Sequence, residues 1–342
     1  MRHISKQHSI GALVGLAVAA LLIWGWKDEP RMRYFHNEGK VFGTYYNIRY
    51  EARADLQDSI RAALTAFDNS LSMFNPHSVL SAINANRDTT TDAAFETMWA
   101  EAERVYALSD GAFDITVAPL VNFWGFGFAE KQSQMANGKW QIDSLLSFVG
   151  FEKVALVNHR VVKDDYSTQI DGGAVAKGQA CDMIADVLRR QGCTNWLVDI
   201  GGEVVAHGRN DKGEPWHIGI TKPNLNNEGA QEDLQEVLAV SDICMATSGN
   251  YRNYYYADGE RRSHTIDPRT GYPVQHSLLS ATVVSSTCMR ADALATACMV
   301  LGAEEAMQMI ERAGDAACYL IVAENDSLKV IESAKWAEMT TK

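Results

Sequence analysis

The sequence predicts an α+β fold of mixed sheets with packed helices. Short segments of strand periodicity are interspersed with segments of helical apolar spacing, and the two kinds follow no regular βαβ period or internal repeat. The composition, 46% hydrophobic and 22% charged over 342 residues, belongs to a globular chain with a sizeable core.

The first block, "MRHISKQHSIGALVGLAVAALLIWGWKDEPRMR", carries Arg2 and Lys6 and then runs uncharged from His8 to Trp26. Its apolar part, Ile10 to Trp26, is near the lower length limit for a membrane span and long for the apolar region of a signal peptide. No small-x-small cleavage site follows Leu22, and Trp24 and Trp26 suit a membrane interface. The first cysteine is Cys181, so there is no lipobox cysteine. An uncleaved N-terminal membrane anchor is therefore expected over residues 1–26, with residues 27–342 forming one exported domain.

Along that body, "KVFGTYYNIRYEA" alternates like a strand and "LQDSIRAALTAFDNSLSMF" has helical spacing. "TMWAEAERVYALSDG" reads as a helix ending at Gly111, and "WLVDIGG" and "LSATVVSS" as short buried strands. In "AKGQACDMIADVLRRQG" the residues Ala180, Ile184, Val187 and Leu188 form one stripe, terminated by Gly192. "KPNLNNEGAQEDLQE" reads as a surface loop, and "RADALATACMVLGAEEAMQMIERAG" as two helical segments broken near Gly302.

A formal charge of −12 argues against general nucleic-acid binding. It also means that an anionic ligand would be held by local devices: a metal ion, a helix N-terminus or a single lysine. The six cysteines, at 181, 193, 244, 288, 298 and 318, show no CxxC or other metal-ligand spacing, which speaks against zinc. An exported location would permit disulfides, but sequence assigns no pairs.

Five stretches carry candidate chemistry. "DGAFDITVAPLVNFWGFG" combines aromatics and glycines that suit a pocket for a flat ring. "DGGAVAKGQACD" is a glycine-rich turn entering a helix, where backbone N–H groups and Lys177 favour a phosphate, although the Walker spacing is absent. "LVDIGGEV" runs a strand into paired glycines beside Asp199 and Glu203, open to close ligand approach. In "RADALATA", Asp292 and Thr296 are four apart and share a helical face, offering hard oxygen donors of the kind Mg²⁺ accepts. "SHTIDPRTGYPV" places His264, Asp267 and Arg269 in a stretch stiffened by two prolines and turned by Gly271, which predicts a rigid polar loop.

These stretches, with "FGTYYNIRY", "LSMFNPHSVLSAIN" and "ATSGNYRNYY", occur in an order that resembles the ApbE family of FAD:protein FMN transferases, from about Gly43 to Gly302. The resemblance implies an ApbE-like, T-fold-related architecture. It implies an enzyme that uses Mg²⁺ to split the FAD pyrophosphate, transfers FMN to a threonine hydroxyl of a client flavoprotein, and releases AMP. The implied client carries a D/S-G-A-S/T-x-S/T motif, and the implied location is the periplasmic side of a bacterial inner membrane. By position, Phe42 stands where the family usually has a methionine touching FAD, and Phe74 at an aromatic flavin-site position. Ala112, Phe113, Asp114, Asp171, Lys177 and Ile266 match FAD-contacting positions. Ala174 (through its carbonyl), Asp292 and Thr296 match the metal ligands, and Ala295 falls where some members add an aspartate. His264 matches the histidine near the transfer centre, with a role in moving the threonine proton. A Mg²⁺-dependent FAD pyrophosphatase, with water in place of threonine, and a non-catalytic flavin-binding protein are the alternatives.

Overall fold

The structure is a computed structural model that describes residues 31–127, 139–223, 233–251, 254–257, 260–325 and 327–340. In chain order the strands are β1 (Arg33–Val41), β2 (Thr44–Ala52), β3 (Val154–Val157), β4 (Arg160–Lys163), β5 (Trp196–Ile200), β6 (Glu203–His207), β7 (Trp216–Thr221), β8 (Leu234–Val240), β9 (Ile243–Gly249), β10 (Tyr254–Ala257), β11 (Glu260–Ser263), β12 (Leu278–Val284), β13 (Ala317–Glu324) and β14 (Ser327–Glu332). The α-helices are α1 (Gln57–Leu71), α2 (Val79–Asn84), α3 (Ala93–Leu108), α4 (Ala118–Phe123), α5 (Lys139–Leu146), α6 (Ala176–Arg190), α7 (Cys288–Leu301), α8 (Ala303–Ala313) and α9 (Ala334–Thr340).

Eight strands form one sheet in the order β1-β2-β5-β6-β9-β12-β13-β14, and three hairpins, β3–β4, β7–β8 and β10–β11, stand beside it. The sheet is not mixed in direction as expected. Every neighbouring pair of named strands is antiparallel, and among the described residues parallel pairing appears only as the isolated bridge Val117–Gln169.

The period of two in each strand divides the core between the sheet's faces. On β13, Cys318, Leu320 and Val322 enter the larger cluster with the helices, whereas Ala317, Tyr319 and Ile321 enter a smaller one with the β7–β8 hairpin and Trp336 of α9. Helix α7 is buried nearly all round, which its alanine-rich sequence permits because small side chains let neighbouring elements approach. Gly178 of α6 packs tightly against the start of α7. A Cβ there would lie 2.4 Å from the Cys288 carbonyl oxygen, so only glycine fits.

Three local expectations change. "KVFGTYYNIRYEA" is not one strand but the end of β1, a two-residue turn and β2, with Phe42 (φ 50) and Gly43 (φ 75) in the left-handed region that a hairpin turn requires. The buried stripe of α6 runs through Ala180, Cys181, Ile184, Ala185 and Leu188, as expected for three of its four residues, leaving Val187 half-buried. Residues 224–232 of the expected surface loop lie outside the described residues, and its end, Leu234–Glu236, begins β8. The six cysteines are free thiols. The expected anchor, residues 1–26, also lies outside the described residues, among which no helix is long and apolar enough to cross a membrane.

Candidate active site

A cavity of about 450 Å³ opens where α6, α7, the end of β9 and the 263–274 loop converge. Its size falls within the range of small-molecule sites. The thirteen helical or loop positions expected to act together do not share one element, so each is placed by its own local device.

Asp171 begins the turn into α6. Its backbone N–H donates to the Ile115 carbonyl at 2.6 Å, and its Oδ1 accepts from Gly173 N at 2.7 Å. The preceding residue is clamped by Asn84, which exchanges two hydrogen bonds with the Ile170 backbone at 2.7 and 2.8 Å. Burial pushes the Asp171 carboxyl above its ordinary range, against the bond from Gly173. Gly173, Ala174 and Lys177 follow along the cavity wall.

The first turn of α6 leaves N–H groups without intrahelical partners. Asp292, buried on α7, supplies one: its Oδ2 accepts from Gly178 N at 3.0 Å. One turn further along α7, Thr296 Oγ1 lies 3.2 Å from Ser248 Oγ on β9. Lys177 forms a close ion pair with Glu203. Burial alone would lower the Lys177 ammonium, but the carboxylates of Asp292 and Glu203 outweigh it and hold it above its ordinary range. Burial raises both carboxyls, and Lys177 opposes that rise.

Asp114 is placed differently. Thr116 donates to its Oδ1 through both N–H and hydroxyl at 2.7 Å, and Phe151 N donates to its Oδ2 at 3.0 Å. Burial lifts this carboxyl to about 6. Its bonded oxygens brace the "AFD" turn that presents Ala112 and Phe113 to the cavity.

Residues 264–274 form a polar loop braced at several points. Ile266 bridges Pro273, Gly271 N donates to Asp267 O at 2.8 Å, and the Arg269 guanidinium grips both Asp267 carboxylate oxygens at 3.0 Å. Trp124 Nε1 donates to the Gly271 carbonyl at 2.8 Å, tying the loop to a cluster of Leu120, Trp124, Ile142, Val149 and Ile266. Gly271 has φ 80 and lies against Ile142, so the turn needs glycine. Asp267 and Arg269 therefore brace the loop, while His264 and Ile266 line the cavity. The His264 ring meets Phe126 edge-on at 6.2 Å. Phe74, also on the cavity lining, is 71% exposed, which leaves its ring free to stack on a flat ligand.

The cavity thus unites Phe74, Ala112, Phe113, Asp114, Asp171, Ala174, Lys177, His264, Ile266, Asp292 and Thr296. Two candidates stand outside its lining. Phe42 packs against Phe67 at 5.5 Å from the β1–β2 turn, and Ala295 is wholly buried in the main core. Glu203 and the Thr247–Ser248 pair join the lining without having been singled out as site residues.

Residues 42–320 match the ApbE family. The chain belongs to that family. It is 35% identical over 336 residues to the FAD:protein FMN transferase of Vibrio cholerae serotype O1, covering 96% of this chain and 98% of that protein. To the FAD:protein FMN transferase of Escherichia coli K12 it is 36% identical over 334 residues, covering 92% and 93%. Among solved structures it resembles the flavin transferase ApbE of Vibrio cholerae, with a TM-score of 0.81 at 34% identity over 90% of this chain and 99% of that one. The apo flavinyl transferase ApbE of Pseudomonas stutzeri gives a TM-score of 0.81 at 30% identity, covering 91% and 98%. The ApbE-like α+β fold expected from the sequence is the fold found.

The donor set suits a hard divalent cation. Asp292 offers a carboxylate, Thr296 a hydroxyl and Ala174 a carbonyl, all oxygens. Among the described residues no group of three or more His, Cys, Asp or Glu could hold a metal ion. A cation here would therefore share its shell with water and substrate phosphates, as Mg²⁺ ordinarily does.

Proposed function

We propose that this ApbE-family protein is a Mg²⁺-dependent FAD:protein FMN transferase. The observation that carries the reading is the convergence of Lys177, His264, Asp292 and Thr296 on one cavity also lined by Phe74, Phe113 and Phe126. Phosphoryl transfer asks chiefly for positioning and charge neutralisation, and this arrangement offers both.

In this reading Phe74 and Phe113 flank the flavin, and the glycine turn before α6 receives the diphosphate. Bound Mg²⁺, held by Asp292, Thr296 and the Ala174 carbonyl, would neutralise charge on the phosphate oxygens. Lys177 adds a fixed positive charge at the same end. The client threonine Oγ attacks the FMN-side phosphorus, the P–O bond to AMP breaks, and AMP leaves with the bridging oxygen. His264, held by its stiff loop, takes the threonine proton. A phosphoester between FMN and the client results.

The client is a flavoprotein bearing a D/S-G-A-S/T-x-S/T motif. The chain's own "DGAF" at 110–113 has phenylalanine after alanine, so no self-modification is expected there. Residues 1–26 would anchor the protein in a bacterial inner membrane with residues 27–342 in the periplasm, a placement supported by the uncharged run from His8 to Trp26. Protease accessibility in spheroplasts tests that topology.

The decisive experiment incubates the protein with FAD, Mg²⁺ and a client domain, reading the client mass and AMP release. A client gaining one FMN is expected. FMN and AMP released equally without a client, with no client adduct, identifies a pyrophosphatase; FAD bound with no AMP identifies a binding protein.

A further inference from the structure

Glu203 lines the cavity beside Lys177, and the proposed function gives it no task. It opens β6 after the Gly201–Gly202 turn, whose positive φ angles of 66 and 102 need glycine, and Asp199 Oδ1 fixes that turn by accepting from Gly202 N at 2.9 Å. The Glu203 carbonyl accepts from Cys181 Sγ at 3.2 Å, so its backbone is held on both sides. Its side chain is 3% accessible, and one oxygen, Oε1, is engaged by Lys177. The other, Oε2, is buried with no hydrogen-bond partner among the described residues.

A buried carboxylate oxygen left without a donor costs on the order of 1–3 kcal/mol, so an ordinary structural ion pair does not account for it. Glu203 lines the cavity, and the missing donor comes from what the cavity holds. A phosphate oxygen carries no proton to give. The water shell of a cation does, and Mg²⁺ keeps several of its waters. Lys177, paired with Glu203, is shared with Asp292, so the cluster has carboxyl oxygens to offer a second positive charge.

Resting on the reading that a divalent cation is held at Asp292 and Thr296, we propose that Glu203 is its outer-shell partner. Oε1 positions Lys177, and Oε2 accepts a hydrogen bond from a metal-bound water. Glu203 is thus a positioning residue for both positive charges that face the diphosphate.

The test is titration of Mn²⁺ into the full-length protein with ADP present, free Mn²⁺ being read by electron paramagnetic resonance. Glu203→Gln keeps an acceptor for Lys177 but turns a donor toward the water. Its apparent Mn²⁺ Kd should rise about 10–100-fold, while ADP affinity without metal is no weaker than in the wild type. Equal Mn²⁺ affinities in the two proteins would overturn the proposal and leave the proposed activity standing. A wild type that takes no Mn²⁺ would overturn the metal reading and this inference together. If the variant does not fold, anomalous diffraction from the wild type with Mn²⁺ and ADP decides. A water bridging the metal to Oε2 supports the role, and Oε2 bonded to a ribose hydroxyl, or ligating the metal directly, defeats it.

Discussion

Asp292 Oδ2 accepts the Gly178 N–H at 3.0 Å, so a carboxylate on α7 closes the open end of α6. The same side chain faces Lys177, the residue before Gly178, and lines the cavity with Thr296 one turn on. One residue therefore joins two helices, steadies the site's lysine and offers an oxygen to a cation. Stability and chemistry are coupled at this point, and substitutions there separate them.

Asp292→Asn retains an oxygen to accept from Gly178 but removes the negative charge. Flavin transfer at saturating FAD should fall at least about 100-fold, the scale of losing one preorganised electrostatic contact, with thermal unfolding nearly unchanged. Steady-state transfer rates measured beside a melting curve check both halves. A variant as active as the wild type would remove Asp292 from the metal site.

Gly178→Ala acts the other way. The new Cβ would lie 2.4 Å from the Cys288 carbonyl oxygen and 2.7 Å from its carbon, both backbone atoms, so α6 and α7 must separate. A loss of roughly 1–3 kcal/mol in unfolding free energy is expected from such overpacking. Urea denaturation monitored by circular dichroism measures it.

A pH dependence follows from Asp182 on α6, whose carboxylate accepts Cys288 N and Met289 N, both at 2.9 Å, at the start of α7. Burial raises this carboxyl to about 6 from an ordinary 3.8, against those two bonds. The folded state thus binds the proton more tightly than the unfolded state. The resulting stabilisation is full below the unfolded value and is lost as pH rises through the folded one. The unfolding free-energy advantage of the wild type over Asp182→Asn should shrink by about 1 kcal/mol between pH 5 and 7. Paired denaturation curves at those two pH values give the difference.

Much of the site was legible because its chemistry follows local rules. Asp292 and Thr296 are four residues apart on a helix, which fixes their shared face. Prolines and Gly271 announce the rigid loop that carries His264. Glu203 was visible only as a residue beside two glycines, because its inward aim depends on how β6 leaves the turn and on where α6 places Lys177. The Thr247–Ser248 pair needed the register of β9 on β12, which opposes Thr247 to Thr282 and Ser248 to Ala281. The turn at Phe42 went unread for a related reason. A Phe-Gly pair lacks the Asn-Gly or Asp-Gly signature of a two-residue hairpin turn, so the β1–β2 hairpin read as one strand. Strand direction was illegible too, since alternation marks a strand without naming its neighbours.

The last prediction separates the histidine from its support. His264→Ala should slow transfer by about 10²–10⁴-fold with FAD still bound, the usual weight of general-base catalysis. Trp124→Phe removes the indole bond to the Gly271 carbonyl, 2.8 Å long, and leaves that oxygen without its donor. It should cost roughly 1–2 kcal/mol of stability and lower kcat more than it changes KM, because the loop holding His264 loosens. If the indole acts on rate through His264 alone, adding Trp124→Phe to His264→Ala should slow transfer no further, the non-additivity expected of residues in one mechanism. Rate losses that multiply in the double variant would show instead that Trp124 acts on the site independently of the proton acceptor.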